Sequence, residues 1–215
     1  MESFLLPGGL FEGHSRVPFQ MNAVRSAFPE CLACRSVRPR EMQQMIRQLG
    51  VHAGKQIVFG FDRYLLQEVD DYREVLLRYG EVEIAVDYDY LHYLSSAQKV
   101  CEQVQLHTAR VGILVCGTGM GMSIAANKFR GVYASRCLSV EDAQMARTIN
   151  NSNVLCLASK SGLATNMAII AEFMSCSYDG RKLEQLECIT QLELESHPGE
   201  KLPALRVPHE LRQSA

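Results

Sequence analysis

Long apolar runs are missing from this chain, and so is any excess of positive charge. No stretch of its 215 residues approaches the ~20 consecutive apolar residues that a membrane-spanning helix needs, so the sequence predicts no membrane association. Lysine and arginine together number 22 against 24 aspartate and glutamate, and they form no dense basic stripe. Because nucleic-acid binding depends on neutralising phosphates, we expect no nucleic-acid partner.

A disulfide framework and a complete structural zinc motif are also missing. The eight cysteines are scattered, several of them inside apolar stretches, which is typical of reduced thiols. Cys31 and Cys34 form a lone C-x-x-C, whereas a structural zinc site needs four ligands. The first ten residues lack a signal peptide's basic and apolar segments, although nearby arginines leave an organelle-targeting peptide as the alternative. We therefore expect a cytoplasmic protein without a metal.

Proline is confined to the two flanks of the chain. Residues 1–53 contain four prolines and show helical spacing only over 40–49, which indicates an irregular N-terminal extension. Residues 193–215 contain the other three and are interpreted as a C-terminal tail. The proline-free middle, residues 54–192, is the predicted catalytic domain.

Apolar strands alternate with helical patterns throughout that middle segment. We predict strands over residues 57–60, 82–86, 111–115, 131–137 and 154–158, and helices over 64–79, 90–104, 122–128, 140–148 and 163–175. Such alternation is typical of a parallel sheet covered on both faces. The predicted fold is a Rossmann-like α/β/α sandwich with a five-stranded parallel sheet.

A glycine-rich turn follows the third predicted strand, in the segment from Cys116 to Ser123. Ligands of parallel α/β sheets bind at the carboxyl ends of the strands, and glycines with the first N–H groups of a helix favour an anion. A dinucleotide fingerprint normally opens the first unit and has an acid ending the next strand, where this chain has Arg136. A phosphate-binding Walker loop needs lysine after its last glycine, where this chain has Met122. A nicotinamide-dependent oxidoreductase and a nucleotide-binding protein are therefore disfavoured.

Cys116 stands where the strand ends and the turn begins. N–H groups near such a position favour the thiolate form of a cysteine, and a thiolate can act as a base. A cysteine at the end of an apolar strand can equally be a small buried apolar residue. Position alone leaves both interpretations open.

The turn and its flanks resemble one family along their whole length. Residues 112–128, GILVCGTGMGMSIAANK, are similar to the signature of ribose-5-phosphate isomerase B and the galactose-6-phosphate isomerase subunits. Further matching pieces occur in the same order: GFD at 60–62, DYLHY at 89–93, NNSNVL at 150–155 and YDGR at 178–181. The resemblance spans about residues 56–192.

This resemblance implies an aldose–ketose isomerase that acts on a sugar phosphate through a cis-enediolate. Cys116 is then the base that moves the proton between neighbouring carbons. The N–H groups of residues 117–121, including those of Gly117, Gly119 and Gly121, are implied to hold the developing oxygen charge. Some relatives have a glutamate where this chain has Met122, so Cys116 is the base that remains.

The resemblance also assigns polar side chains to the substrate. It implies that Thr118 helps to open or orient the sugar, that Asp62 holds substrate hydroxyls and that Asn150 contacts the substrate. Apart from the resemblance, Thr118 is a turn hydroxyl and Asp62 a helix cap.

Phosphate contacts are implied for three cations: Arg63, Lys160 and Arg181. The family has histidine at the position of Arg63 and a further basic residue where this chain has Gln185. Each of these cations taken alone is also explained as a solvated surface residue.

Ile149 stands where ribose-5-phosphate isomerases have the histidine that opens the furanose ring. Isoleucine transfers no proton, so we expect a substrate that is short or already open-chain, such as a tetrose 4-phosphate. His92 is an alternative acid. The resemblance further implies a homodimer with shared sites and no cofactor, whereas a non-catalytic or companion subunit that binds a sugar phosphate is the alternative function.

Overall fold

The computed structural model describes residues 48–196 of the chain. The strands are β1 Gln56–Phe61, β2 Val82–Ile84, β3 Arg110–Cys116, β4 Ala134–Arg136 and β5 Val154–Ala158. The α-helices are α1 Val69–Leu77, α2 Tyr93–Leu106, α3 Met120–Ala126, α4 Val140–Thr148, α5 Leu163–Ser175 and α6 Leu183–Ser196. Short 3₁₀ turns occupy Arg63–Leu65 and Ser159–Ser161.

All five strands are parallel and lie in the order β2-β1-β3-β5-β4. The chain runs outward from β1 to β2 and then returns to place β3 on the other side of β1. The strand order therefore reverses between β1 and β3. In open parallel sheets, such a reversal leaves a crevice at the carboxyl ends of the two strands.

Each face of the sheet has its own apolar core. Phe59, Phe61 and Phe173 belong to one cluster, which joins the sheet to α1, α4 and α5. Val58 and Leu114 belong to the other, which joins the sheet to α2 and α3. Because successive strand residues point to opposite faces, a strand buried on both sides is apolar throughout, as β3 is. The predicted three-layer α/β/α sandwich is confirmed.

One predicted helix is divided in the structure, and one helix was not predicted. The helix predicted over 64–79 is divided into the 3₁₀ turn and α1, because the Asp62 carboxylate accepts a hydrogen bond from the Tyr64 N–H and starts a separate turn. Helix α6 was not predicted, and it extends to Ser196, beyond the predicted domain end at 192. It packs on the body through few apolar side chains, chiefly Leu186, so its apolar pattern is weak.

The segment just before β1 is joined to the domain by backbone hydrogen bonds. Gly50 exchanges two of them with Tyr178, at 2.8 and 3.0 Å, and the His52 N–H donates to the Met174 carbonyl at 3.0 Å. The domain boundaries at 53/54 and 192/193 stay predictions. The helix predicted over 40–49, apart from its last two residues, lies outside the described residues, as do Cys31 and Cys34.

Candidate active site

The ends of β1 and β3 meet at the point where the strand order reverses. Asp62 follows β1 directly, and its N–H donates to the Val115 carbonyl in β3 at 3.2 Å. Cys116 is the last residue of β3. The backbone pairing of the two strands thus brings an acid and a thiol, 54 residues apart in the printed sequence, to the same crevice.

Cys116 is held by the turn that follows it. The Gly119 N–H donates to the Cys116 Sγ at 3.2 Å, so the turn fixes the position of the sulfur. The backbone at Gly119 has φ +71° in this turn, a conformation that residues other than glycine rarely adopt. Cys116 retains 5% of its surface exposed, beside the half-buried Gly117 and Thr118. The thiol is enclosed by the fold and lies at its carboxyl edge.

Asp62 connects the β1 end to the same turn. Its carboxylate accepts from the Tyr64 N–H at 3.0 Å and from the Gly117 N–H. Burial raises the pKa of Asp62 above its ordinary value, and these two hydrogen bonds partly oppose the rise. Its carboxylate is therefore more ready to take up a proton than a solvated aspartate is.

The backbone donors of the turn are not all available to a ligand. The Gly117 and Gly119 N–H groups are used by Asp62 and Cys116, and the Met120 N–H donates to the Thr118 Oγ1 at 3.4 Å. Within the described part of the chain, the N–H groups of Thr118 and Gly121 have no protein acceptor. These two are the donors that an oxyanion could still use.

Arg136 is a residue of this site that the sequence reasoning missed. It ends β4 and donates from Nε to the Thr118 carbonyl at 2.7 Å, so it fixes the middle of the turn. The available signal was a cation at the carboxyl end of a predicted strand, the same edge as Cys116. In the sequence alone, Arg136 serves only as evidence against a dinucleotide site.

Aromatic rings line the turn on the side of α2. A Cβ added to Gly121 would lie 2.7 Å from Tyr93 Cε2, so this glycine lets the ring pack on the backbone. His92 caps α2 by accepting from the Leu94 N–H at 3.3 Å, and its ring lies 4.6 Å from the ring of Tyr93. Burial lowers the pKa of His92, and nearby Asp62 opposes the change. His92 therefore belongs to the surroundings of this site.

Two of the predicted phosphate-binding cations also lie at the carboxyl edge. Arg63 follows Asp62, and its guanidinium lies 5.4 Å from the centre of the Tyr64 ring. Lys160 lies in the 3₁₀ turn after β5. Both side chains are exposed, and they follow the carboxyl ends of β1 and β5, respectively.

Asn150 and Arg181 lie at the opposite edge of the sheet. Asn150 precedes β5, and Arg181 follows α5, which runs back towards the strands' amino ends. At ~3.3 Å per residue, β5 alone separates Asn150 from the carboxyl edge by about 15 Å. Both residues are exposed, beside the half-buried Ile149 at the end of α4. The predicted site residues thus form two groups, one at each edge of the sheet.

Neither a metal cluster nor a membrane-spanning helix occurs among the described residues. Between residues 48 and 196, no group of three or more His, Cys, Asp or Glu side chains is placed to hold a metal ion. In the same range, no helix combines the length and the apolar character needed to cross a membrane.

Comparison with known proteins relates this arrangement to sugar isomerases. The Ribose/Galactose Isomerase family model matches residues 60–189. Ribose-5-phosphate isomerase B of Escherichia coli (strain K12) is 40% identical over 107 residues, covering 49% of this chain and 70% of that protein. D-erythrulose-4-phosphate isomerase 2 of Mycolicibacterium smegmatis is 34% identical over 92 residues, covering 42% of this chain and 60% of that protein.

Solved structures agree with the family match. The type B ribose 5-phosphate isomerase of Leishmania infantum has a TM-score of 0.61 at 31% identity, with 67% of this chain and 99% of that chain covered. The Mycoplasma genitalium ribose-5-phosphate isomerase B with bound ribulose-5-phosphate has a TM-score of 0.60 at 30% identity, with coverages of 65% and 97%. The chain belongs to the ribose/galactose isomerase family and is a sugar isomerase of the ribose-5-phosphate isomerase B type.

Proposed function

We propose that this chain interconverts an aldose phosphate and a ketose phosphate with Cys116 as the base. The thiolate takes a proton from the carbon next to the carbonyl and becomes a thiol, while the substrate becomes a cis-enediolate. The thiol then returns a proton to the neighbouring carbon, which restores the thiolate, while the remaining hydroxyl proton passes from one enediolate oxygen to the other. No cofactor enters this cycle, because the electrons move only within the substrate.

The position of Cys116 carries this proposal. Its sulfur lies at the end of β3, where the strand order reverses, and accepts the Gly119 N–H at 3.2 Å. In our proposal this donor holds the sulfur in the position from which it reaches the substrate carbon. Some relatives have a glutamate at the position of Met122, which could serve as a base. The thioether of Met122 takes no proton at neutral pH.

The enediolate needs donors for the charge that forms on its oxygen. In our proposal the N–H groups of Thr118 and Gly121 provide them, because those of Gly117 and Gly119 already bind Asp62 and Cys116. Thr118 Oγ1 lies on the same turn and orients the substrate oxygen. Asp62, whose pKa is raised by burial, holds a substrate hydroxyl.

We further propose that the preferred substrate is a four-carbon sugar phosphate. Ile149 occupies the position at which ribose-5-phosphate isomerases have the histidine that opens a furanose ring. A tetrose 4-phosphate has its fourth oxygen esterified and cannot close that ring, so it needs no such acid. The match to a D-erythrulose-4-phosphate isomerase supports this choice, since that relative is named for a four-carbon substrate.

The active unit in this proposal is a homodimer with shared sites. The length of β5 places Asn150 about 15 Å from the carboxyl edge of its own chain, and Arg181 lies after α5 at the same amino edge, so neither is placed to reach a substrate at its own Cys116. A second copy that places its amino edge against this crevice would supply both residues. Arg63 and Lys160 from one chain and Arg181 from the other then surround the phosphate.

The proposal is tested by assaying the purified full chain on four-, five- and six-carbon sugar phosphates. We expect turnover to be fastest with a tetrose 4-phosphate, and Cys116→Ala to reduce kcat by about 10²–10⁴, the usual contribution of a general base. Cys188→Ala is the matched control, since Cys188 is exposed on α6.

Different assay results would refute the substrate preference, the role of Cys116 and the catalytic function. Equal or faster turnover of ribose 5-phosphate would refute the substrate preference alone. Activity that survives Cys116→Ala would refute the mechanism. A chain that binds sugar phosphates and turns none over would instead indicate the companion subunit, a role that the loss of the histidine at 149 favours.

A further inference from the structure

Arg147 is the largest fully buried side chain of the described residues, and it has no carboxylate partner among them. It lies in α4, at 0% exposure, close to the amino edge of the sheet. Burial lowers its pKa to about 10, so the guanidinium is still charged at neutral pH. Burying an unpaired charge is unfavourable, and the two terminal nitrogens offset this cost by donating to three oxygens, whereas Nε has no acceptor among the described residues.

Those hydrogen bonds join two separate parts of the chain. Nη1 donates to the Asn151 Oδ1 at 2.9 Å and to the Ser152 carbonyl at 2.8 Å. Nη2 donates to the Gly50 carbonyl at 3.0 Å. The first two acceptors lie in the loop that contains Asn150, and Asn151 has the positive φ of +45° there. One planar guanidinium therefore fixes this loop relative to the segment before β1.

His52 adds a second donor to the same loop. Its Nε2 donates to the Ser152 carbonyl at 2.8 Å, so that one oxygen accepts from both His52 and Arg147. The centre of the Phe173 ring lies 5.2 Å from that of the His52 ring and 5.8 Å from the Arg147 guanidinium carbon. The aromatic ring thus holds both donors in place.

The network continues from Gly50 to Arg181. Gly50 and Tyr178 exchange two backbone hydrogen bonds, and the Tyr178 hydroxyl donates to the Arg181 carbonyl at 3.0 Å. Tyr178 is fully buried, so this hydroxyl has little freedom to move. A chain of hydrogen bonds therefore leads from the loop of Asn150, through Arg147, to the turn of Arg181.

We propose that Arg147 is a positioning residue that sets the Asn150 loop and the Arg181 turn at a fixed distance from each other. This inference rests on the proposed function, in which both residues bind substrate in the partner's half of a shared site. Arg147 touches no substrate and acts only through the backbone that it holds. Arg147 of one chain therefore affects substrate binding in the site that contains the Cys116 of the other chain.

Arginine suits this task better than an apolar residue or lysine. A well-packed apolar side chain would fill the space without the desolvation cost, but it would bind none of the three oxygens. Lysine provides a single point of charge, whereas the planar fork of arginine reaches acceptors on two sides at fixed angles. We therefore expect weaker substrate binding even in Arg147→Lys, which keeps the charge.

The first test compares Arg147→Lys and Tyr178→Phe with wild type by steady-state kinetics on the best sugar phosphate. We expect Arg147→Lys to raise KM about tenfold or more and Tyr178→Phe to raise it several-fold, with kcat within about threefold in both, because ground-state phosphate binding is lost while the base is untouched. The inhibition constant of inorganic phosphate should rise in parallel.

Tyr133→Phe is the matched control for a lost tyrosine hydroxyl. Tyr133 OH bonds to Thr190 Oγ1 at 2.7 Å, so its removal leaves the hydrogen bond from Tyr178 to the Arg181 carbonyl in place. This variant should lose a similar amount of stability and keep the wild-type KM. An equal KM rise in Tyr133→Phe would mean that general loosening, rather than the network, causes the effect.

The second test uses mixed dimers. It remains informative even if Arg147→Lys is poorly stable. Arg147→Lys chains are combined with Cys116→Ala chains and assayed at low substrate concentration. Each mixed dimer should hold one complete site, formed by the intact Cys116 of one chain and the intact amino edge of the other. Random exchange makes half of the dimers mixed, so about a quarter of the wild-type kcat/KM should return.

The pair Asn150→Ala and Cys116→Ala separates the inference from the proposed function. Recovery in this pair without recovery in the Arg147 pair would overturn the positioning role and leave the shared site intact. Failure of both pairs would overturn the shared site itself. A wild-type chain without isomerase activity would overturn the proposed function and the inference with it.

Discussion

The two edges of the sheet are held together in different ways. At the carboxyl edge, Cys116 is fixed by the Gly119 N–H, three residues away in sequence. At the amino edge, Arg147 bonds to Gly50 across 97 residues, and His52 bonds to Ser152 across 100. The proposed base is thus placed by local backbone, whereas the proposed binding groups are placed by buried side chains that meet only in the folded chain.

This difference predicts how each edge responds to change. A local turn depends on the φ of one or two glycines, so a small change there displaces the reacting atom directly. The amino-edge network contains several donors and acceptors, and the loss of one leaves others in place. We therefore expect the largest effects on activity at the carboxyl edge.

After removal of the proposed base itself in Cys116→Ala, Gly119→Ala should lower activity the most. A Cβ at this position would lie 3.1 Å from the Leu157 carbonyl carbon and oxygen, at φ +71°. The turn must move, which takes the Gly119 N–H away from the Cys116 Sγ. We expect kcat to fall about 10²-fold or more, as when one donor to a catalytic anion is lost, measured with the substrate that the wild type turns over best.

Gly54→Ala is the control at the amino edge. Gly54 also has a positive φ, +87°, but an added Cβ would meet nothing within 4 Å. It should lower the free energy of unfolding by about 1–2 kcal/mol, the cost of the left-handed conformation, and leave kcat unchanged. An equal loss of kcat in both variants would show that backbone strain, and not the position of the donor, is responsible.

The contrast between local contacts at the carboxyl edge and long-range contacts at the amino edge also explains which features could be predicted from the sequence. The strands, α4 and α5 follow from local apolar patterns, and the chemistry of the turn is contained in residues 112–128. Arg147 and His52 carry no local signal, because a buried cation on a helix has the same sequence pattern as a solvated one. Arg136 was missed for a related reason, since its acceptor, the Thr118 carbonyl, is identified only by the fold.

Sequence also could not show that the predicted site residues separate into two groups. The family motif lists Asp62, Cys116, Asn150 and Arg181 in one order along the chain, without saying which edge of the sheet each one occupies. Only the direction of the parallel strands, and of α5 running back along them, places the last two at the opposite edge of the sheet from the first two. The sharing of a site between two chains then becomes a question of geometry.

Arg181→Gln should have a smaller effect, confined to binding. Loss of one cation from the proposed phosphate site should raise KM about tenfold, as expected for a charged hydrogen bond worth ~1.5–3 kcal/mol, with a smaller change in kcat. Lys182→Gln removes the same charge from the neighbouring exposed residue and should leave KM within about twofold. Equal effects of the two variants would reduce the role of Arg181 to general electrostatic attraction.

His52→Gln should have the smallest effect, on the pH dependence of stability. Burial, with Arg147 and Lys55 nearby, lowers the pKa of His52 well below its ordinary value of 6.5. As pH falls below about 6.5, the unfolded chain takes up this proton and the folded chain does not, so the free energy of unfolding falls with pH, by at most ~1.4 kcal/mol per unit. Urea unfolding at pH 7.5, 6.5 and 5.5 should show a shallower slope in His52→Gln, with His107→Gln as the baseline for an exposed imidazole. An unchanged slope in His52→Gln would mean that the amino-edge network admits the proton, and that His52 is held less firmly than the carboxyl-edge turn.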